Sequence, residues 1–301
     1  MSLVARVSLT GPEGEEPEDY FSSALGLLVP GHVDNIHGDA DHGVLYTSPN
    51  LPRPLRLSLA DPTDARDRDL FSHYLWNSSL VLAELIEAAT LGLETAGGSR
   101  RGTAADFNVT GLSTLELGAG TALPSLMAAL LGAGRVVATD YPSAEVLSNL
   151  HDNMRRNVQP SFSPLGTVAP VAVEGHGWGI FSTPLAEGNR HAFDRVVACD
   201  CLWLPSQHGA LRASLSWFLG ASPAARAWVA AEFHTGRARL RGFFDADALA
   251  EAGLEVEAIW ERDYDGAERP WAWDRGEEDV ELRRGWVVLA VLRRAVADRG
   301  R

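Results

Sequence analysis

A short glycine-rich stretch contains the residues of this chain that are best placed for chemistry. It reads LELGAGTALPSL and sets Glu116, Gly118 and Gly120 between an apolar run and a segment of helix formers that contains Pro124. Glycines at such a strand-to-helix junction let the backbone approach a ligand closely, and the first turn of the helix offers unpaired N–H groups. The stretch therefore predicts a turn that binds a nucleotide or a related cofactor, although a bare tight turn would also explain the glycines alone.

The spacing of the polar residues narrows the choice of ligand. The dinucleotide fingerprint G-x-G-x-x-G needs a third glycine where this chain has Leu123, and a P-loop needs a lysine, which the sequence lacks. The pattern E-x-G-x-G-x-A does fit, and Asp140 closes the next apolar run, where a carboxylate can accept hydrogen bonds from both ribose hydroxyls. These features favour an S-adenosylmethionine site. Asp140 taken alone could equally cap a helix or lie in a surface turn.

Asp200 and His234 each follow a later apolar run, VVAC and VAAEF. Ligands of open α/β sheets bind beyond the carboxyl ends of the strands, so both side chains are expected at the same edge as the glycine turn. A carboxylate or an imidazole there could orient or deprotonate a methyl acceptor. Asp200 could instead cap the following helix, and a loop histidine bonded to the backbone is the more ordinary interpretation of His234. Cys199 and Cys201, on either side of Asp200, fit packing positions.

The elements that would position these residues follow from the apolar pattern. After residue 111, short apolar runs alternate with helical patterns, which is typical of a mostly parallel sheet covered by helices on both faces. The predicted helices span 122–132, 143–157, 206–219 and 242–252, the last one ended by Gly253. The predicted strands span 112–116, 135–140, 168–173, 193–199, 227–232, 254–260 and 286–292. No helix separates the last two strands, so the final strand should run antiparallel.

The first part of the chain has a different composition. Residues 1–68 carry much of the glycine, proline and aspartate, which predicts an extension of loops with a short hairpin at GVLYTSPNLPRPLRLSLA. The main domain is then expected at 69–301. It would begin with an amphipathic helix over 80–89, for which Asn77 or Ser78 is the expected N-cap.

The segment 261–284 combines nine acidic residues with Trp271 and Trp273. A solvated loop is its ordinary interpretation. Because it follows the carboxyl end of the sixth strand, it could also form a lid or a lip at the acceptor entrance.

Composition excludes several classes of function. The net charge of −14 and the absence of any lysine among the 26 basic residues argue against a nucleic-acid binder, a Schiff-base enzyme and a P-loop enzyme. Two cysteines on either side of one aspartate cannot build a disulfide framework or a zinc quartet, so we predict no metal. We find no secretory signal and no apolar run of about 18 residues, so we expect a cytoplasmic, or also nuclear, protein away from membranes.

The stretch LELGAGTALPSLMAALLGAGRVVATDYPSAEVLSNLHDNMRRN resembles the seven-strand S-adenosylmethionine-dependent methyltransferases of the lysine-methyltransferase group. It resembles in particular a fungal branch labelled nicotinamide N-methyltransferase-like, which includes an elongation-factor N-terminal and lysine methyltransferase. The resemblance covers roughly residues 70–295, and HYLWNSSLVLAELI and ATDYP are among its most specific parts. It implies a Rossmann-like α/β fold with strand order 3-2-1-4-5-7-6 and an antiparallel strand 7.

The resemblance also implies a role for each matching residue. Asp140 would bind the ribose, the Trp178 ring would lie by the adenine, and Asp200 would face the methyl donor. Asp200, Trp203 and His234 form the expected catalytic group. The residues expected to bind the cofactor are Trp76, Glu116, Gly118, Ala119, Gly120, Thr121, Asp140, Tyr141, Trp178 and Cys199. Many members have Tyr or Phe where this chain has Trp203, at a position that shapes the acceptor entrance.

Three functions follow from these observations. The first is methyl transfer from S-adenosylmethionine to a protein amine, either a lysine or an amino terminus. The second is N- or O-methylation of a small metabolite, which Trp203 and the long amino-terminal extension favour. The third is cofactor binding without methyl transfer, in a scaffold or interaction partner. The acceptor, the number of methyl groups added and the oligomeric state are left open by the sequence.

Overall fold

The computed structural model describes residues 3–10, 36–37, 43–60, 74–94, 103 and 106–295. These ranges form a central eight-stranded sheet, a three-stranded sheet near the amino terminus and a two-stranded pair. Numbered along the chain, the strands are β1 Val7–Thr10, β2 Ile36–His37, β3 Gly43–Tyr46, β4 Leu55–Leu57, β5 Leu75–Trp76, β6 Ser113–Leu117, β7 Arg135–Asp140, β8 Val171–Gly175, β9 Arg195–Cys199, β10 Arg226–Glu232, β11 Leu254–Asp263, β12 Glu268–Pro270 and β13 Trp286–Arg294.

The central sheet is mostly parallel, which confirms the predicted fold class. Its order is β8-β7-β6-β9-β10-β13-β11-β12. Strands β6 to β10 pair in parallel, whereas β13 lies antiparallel between β10 and β11. Counting only the seven expected strands, this is the order 3-2-1-4-5-7-6, with the seventh strand antiparallel. The short strand β12, which pairs antiparallel with β11 and ends at Pro270, was not predicted.

Helices cover both faces of the sheet, as the alternating pattern predicts. Side chains of one strand point to opposite faces, and in β10 Trp228 joins the apolar cluster that contains Leu80 and Leu126, while Val229 joins the one that contains Leu211 and Leu215. The helices are α1 Asn77–Leu91, α2 Leu123–Leu130, α3 Ala144–Asn157, α4 Pro184–Gly188, α5 His208–Phe218, α6 Arg237–Leu240, α7 Ala246–Glu251 and α8 Val280–Arg284. Short 3-10 turns occur at Val4–Arg6, Pro160–Phe162, Pro205–Gln207 and Arg241–Phe244.

The described part of the amino-terminal extension packs onto the main body. Strands β3 and β4 form an antiparallel pair where the sequence predicts a hairpin, and β1 adds to the other edge of β3. Two asparagines of α3 dock this sheet: Asn153 accepts a hydrogen bond from the Ser58 N–H at 2.8 Å, and Asn157 accepts one from the Arg56 N–H at 2.9 Å. The expected boundary between residues 68 and 69 lies outside the described residues.

Two predicted helix starts were wrong. The helix expected over 242–252 begins only at Ala246, because Asp245 takes an extended backbone and its side chain accepts the Ala248 N–H at 3.0 Å. The N-cap of α1 is Trp76, without a side-chain cap bond, rather than Asn77 or Ser78. The Ser78 N–H instead donates 3.0 Å to the carboxylate of Glu232, which is 154 residues away in sequence.

Candidate active site

A cavity of about 290 Å³ lies at the carboxyl ends of the parallel strands. Open α/β sheets bind their ligands at this edge, and the volume is at the lower end of the usual range for small-molecule sites. The lining residues come from the loops that follow β6 to β9, and from the start of α1. They are Tyr74, Trp76, Ser79, Gly118, Ala119, Gly120, Thr121, Asp140, Tyr141, His176, Gly177, Trp178, Ile180, Cys199, Asp200, Cys201, Trp203, Leu204 and Gln207.

The glycine turn forms one wall of the cavity. Gly118 and Gly120 have φ angles of +68° and +53°, in the left-handed region that glycine adopts without strain. A Cβ on Gly118 would lie 2.8 Å from the Cys201 sulfur and 3.1 Å from the Trp178 ring, so the site has room only for the backbone there. Ala122 also has a positive φ, +66°, which costs an L-residue about 1–2 kcal/mol.

Asp140 lies beside this turn at the end of β7. One carboxylate oxygen accepts the Gly120 N–H at 2.7 Å, and the other accepts the Tyr141 N–H at 2.7 Å. Burial raises the pKa of Asp140 to about 6, against the opposing effect of these two backbone donors. A carboxylate has about four lone-pair sites, so both oxygens retain capacity to accept ligand hydroxyls.

Glu116 does not line the cavity, so the structure does not support the expectation that it contacts a ligand directly. It is buried beneath the glycine turn, where its carboxylate accepts hydrogen bonds from the Ser125 N–H and hydroxyl in the first turn of α2. Burial raises the pKa of Glu116 to about 8, and the two Ser125 bonds oppose that shift. Its place in the fold is therefore that of a helix cap which holds the turn in shape.

Asp200 combines burial with an incompletely bonded carboxylate. It has a φ of +54° at the end of β9, and its Oδ1 atom accepts the Glu232 N–H at 3.0 Å. Among the described residues, no hydrogen-bond donor reaches the buried Oδ2 atom, and His234 Nε2 lies 3.7 Å from it. Burial raises the pKa of Asp200, whereas His234 and the Glu232 N–H act to lower it.

His234 lies one layer behind the cavity and is not part of its lining. Its ring stacks on the Trp76 ring with centroids 4.7 Å apart, and Trp76 itself lines the cavity. A direct action of His234 on an acceptor stays a prediction. Its contacts with Asp200 and Trp76 would also allow it to orient those two side chains.

The comparisons with known proteins agree with this geometry. A family model described as lysine methyltransferase matches residues 64–244. The chain belongs to this family. It is 32% identical over 84% of its length to the protein N-terminal and lysine N-methyltransferase EFM7 of Gibberella zeae, covering 94% of that protein. It is 31% identical to the EFM7 of Yarrowia lipolytica, with 76% of this chain and 77% of that protein covered.

Similarity to solved structures is weaker than similarity to these sequences. A ribosomal protein L11 methylase from Lactobacillus delbrueckii subsp. bulgaricus has 18% identity and a TM-score of 0.40 over 70% of this chain and 79% of that one. That likeness carries no argument about function, so the family assignment rests on sequence and makes this chain a methyltransferase.

The structure brings most of the residues expected from the lysine methyltransferase resemblance into one cavity. Trp76, Asp140, Trp178 and Asp200 all line it, as do Gly118, Ala119, Gly120, Thr121, Tyr141, Cys199 and Trp203. Glu116 and His234 are the two that do not. Burial raises the pKa of the Cys199 thiol, which is consistent with a packing role.

Other residues of the site were missed by sequence reasoning. His176 lines the cavity, with Nε2 3.1 Å from the Ser214 hydroxyl, and burial lowers its pKa to about 4. Glu232 is the last residue of β10, and Asp200 directly follows β9. The position of Glu232 at a strand end could therefore have indicated a site residue from the sequence. Tyr264, whose hydroxyl lies 3.0 Å from Glu232, gave no such signal because it follows an ordinary amphipathic strand.

The described ranges contain no helix that is both long and apolar enough to cross a membrane. In the same ranges, no three His, Cys, Asp or Glu side chains come together as a metal site would require. The segment 261–284 contributes no residue to the cavity lining. It is anchored instead by Glu261, which accepts hydrogen bonds from Arg237, Arg269 and Arg275.

Proposed function

We propose that this chain transfers a methyl group from S-adenosylmethionine to an amine of a protein, either a lysine side chain or an amino terminus. The observation that carries the proposal is one cavity lined by the glycine turn, by Asp140 and by Asp200, whose buried Oδ2 atom accepts no hydrogen bond from the described residues. The protein substrate is supported by the names of the relatives, which are protein N-terminal and lysine N-methyltransferases.

The residues of the cavity fit this cofactor. A side chain at Gly118 would collide with Cys201 and Trp178, so the wall is shaped for a ligand that lies against bare backbone. The backbone of residues 118–121 would hold the methionine part, Asp140 the ribose hydroxyls and Trp178 the adenine. Aromatic ring faces such as that of Trp76 attract a cation by about 0.5–2 kcal/mol, which suits a sulfonium. When bound, S-adenosylmethionine supplies an electrophilic methyl group.

The protein contributes chiefly by positioning the acceptor. Methyl transfer is an in-line displacement, and near-attack geometry accounts for much of the rate enhancement in such reactions. An acceptor amine that enters beside Trp203 can donate an N–H to Asp200 Oδ2, which orients the nitrogen lone pair toward the donor.

The acceptor must also lose a proton, because a lysine ammonium has a pKa of about 10.4 and no lone pair. Burial among Trp76, Tyr74 and Trp203 disfavours the ammonium, whereas the Asp200 charge favours it. Because burial raises the pKa of Asp200, its Oδ2 atom is suited to take up the proton that the amine releases.

Methyl-labelled S-adenosylmethionine tests the proposal. The purified protein is incubated with a desalted cell extract and, separately, with the small-molecule fraction of that extract. The D200N variant serves as the matched control. We expect label in protein, recovered as methyl-lysine or as a methylated amino terminus, and its loss with D200N. Since the chain contains no lysine, labelled lysine cannot come from automethylation.

Two results would overturn the proposal. Label confined to the small-molecule fraction would indicate a metabolite methyltransferase. Cofactor binding by calorimetry without label in either fraction would indicate a binding protein that transfers no methyl group.

A further inference from the structure

We propose that Glu232 is a positioning residue of the methyl-transfer site: its side chain, as a neutral, protonated acid, holds the helix turn that follows Trp76, and its backbone N–H holds Asp200. This inference rests on the proposed function, because it assigns a role toward the same reaction. It goes beyond that function in naming a group that touches neither cofactor nor acceptor.

Glu232 connects two walls of the cavity. It ends β10, is 1% exposed, and its Oε1 atom accepts the Ser78 N–H at 3.0 Å in the first turn of α1. Trp76, which lines the cavity, stands directly before that turn. The Glu232 N–H donates to Asp200 Oδ1 at 3.0 Å. A shift of Glu232 would therefore move both the ring beside the cofactor and the carboxylate that faces the acceptor.

The hydrogen bonds of Tyr264 indicate where the proton of Glu232 lies. The Tyr264 hydroxyl is 2.8 Å from the Arg284 carbonyl oxygen and 3.0 Å from Glu232 Oε2. A hydroxyl has one hydrogen, and a carbonyl oxygen can only accept. If Tyr264 donates to Arg284, the short contact with Glu232 needs a hydrogen from the carboxyl group. Both contacts are satisfied at once when Tyr264 donates to Arg284 and Glu232 donates from Oε2 to the tyrosine oxygen, which is the arrangement that the proposal assumes.

The charges around Glu232 support the same protonation state. The titratable side chains nearest to it are Asp200 from the end of β9 and Tyr264 directly after β11. Burial and the Asp200 charge raise the pKa of Glu232 well above its ordinary value, against the opposing effect of hydrogen bonds from Ser78, Tyr264 and Asn77. Two neighbouring buried carboxyls resist a second negative charge. A neutral Glu232 thus leaves Asp200 as the anion of the pair.

Glu232→Gln is the decisive variant, because glutamine keeps an acceptor toward Ser78 and gains an N–H donor toward Tyr264. We expect E232Q to retain kcat close to the wild type, with the same pH profile. Glu232→Ala loses both side-chain bonds but keeps the backbone N–H that Asp200 accepts, and kcat should fall on the order of 100-fold as Trp76 shifts. Melting curves and calorimetric cofactor affinity identify any variant that fails to fold.

A second measurement does not depend on the acceptor. Infrared difference spectra of wild type minus E232Q at neutral pH should show the C=O stretch of a protonated carboxylic acid. An ionised carboxylate signal, or an E232Q enzyme as impaired as E232A, would overturn the inference. Failure of the proposed function would look different, because the infrared band would persist while label appeared in the metabolite fraction or in neither fraction.

Discussion

The two sides of the cavity are built by different means. On the donor side, Asp140 bonds backbone N–H groups, and its partner Gly120 is 20 residues away in sequence. On the acceptor side, Asp200, Glu232 and Tyr264 bond across 32 residues, and Glu232 reaches Ser78 across 154. The donor side is therefore a local motif of two neighbouring strand ends, whereas the acceptor side is assembled from distant segments.

The two sides of the cavity should respond differently to substitution. Backbone donors persist whatever side chains surround them, so the donor side depends on few residue identities, chiefly the glycines and Asp140. On the acceptor side, Asp200 and Glu232 also accept backbone N–H groups, but these two acids lie at the ends of different strands, and Glu232 further depends on the Tyr264 hydroxyl. Variants on the donor side should therefore change cofactor affinity, and variants on the acceptor side should change turnover.

The largest expected effect on cofactor affinity is that of Asp140→Ala. Loss of a charged acceptor for both ribose hydroxyls should weaken S-adenosylmethionine binding about 100-fold, which is roughly 2.7 kcal/mol. Calorimetry measures this affinity directly. Because the carboxylate is the accepting form and burial raises its pKa to about 6, wild-type affinity should also fall as the pH drops below that value. An unchanged affinity in D140A would mean that the ribose lies elsewhere.

The second prediction compares two glycine-to-alanine variants in order to separate the cost of backbone strain from the cost of tight packing at the glycine turn. Gly118→Ala introduces a Cβ 2.8 Å from the Cys201 sulfur at a φ of +68°, whereas Gly166→Ala has the same strain, at +67°, with open space around it. Both should lose about 1–2 kcal/mol of unfolding free energy from strain, and G118A about 1–3 kcal/mol more from overpacking. Denaturant unfolding and cofactor titration measure both. Equal losses of unfolding free energy in the two variants would show that the turn is not tightly packed around Gly118.

Glu116→Gln tests whether Glu116 is a helix cap rather than a ligand residue. Its pKa is raised on folding to about 8, so ionisation destabilises the folded state as the pH rises from the unfolded value of about 4.5 through 8. Glutamine cannot ionise, so the variant does not lose stability in this way. The unfolding free energy of the variant, relative to that of the wild type, should therefore increase as the pH rises across this range. The cofactor affinity of the variant should stay close to that of the wild type. A large drop in affinity would indicate that Glu116 contacts the cofactor.

The smallest expected effect belongs to Trp203→Tyr, which introduces an aromatic residue that the family resemblance leads us to expect at this position. Trp203 lines the cavity, so the exchange should alter kcat/KM for the acceptor by about tenfold, at the lower end of the effect of a small change in pocket size. Cofactor affinity should not change. If cofactor affinity fell while acceptor kinetics stayed constant, the division between the two sides would be wrong.

Sequence reasoning worked best where partners are close along the chain. The E-x-G-x-G pattern and Asp140 identified the glycine turn and its acid, because adjacent parallel strands place their carboxyl ends side by side. It did not reveal that Glu116 and His234 lie outside the cavity lining, since a residue type at a strand end does not tell which way its side chain points. It also failed for the cap of α1, which is supplied by Glu232 from another strand.

By itself, then, the sequence determined the layered α/β architecture and the donor motif, because apolar periodicity and glycine spacing are local properties of the chain. Only the tertiary structure decided which acids line the cavity and how Trp76, Asp200 and Glu232 are connected. Those properties depend on burial and on hydrogen bonds between segments that lie up to 154 residues apart, and no local pattern encodes either.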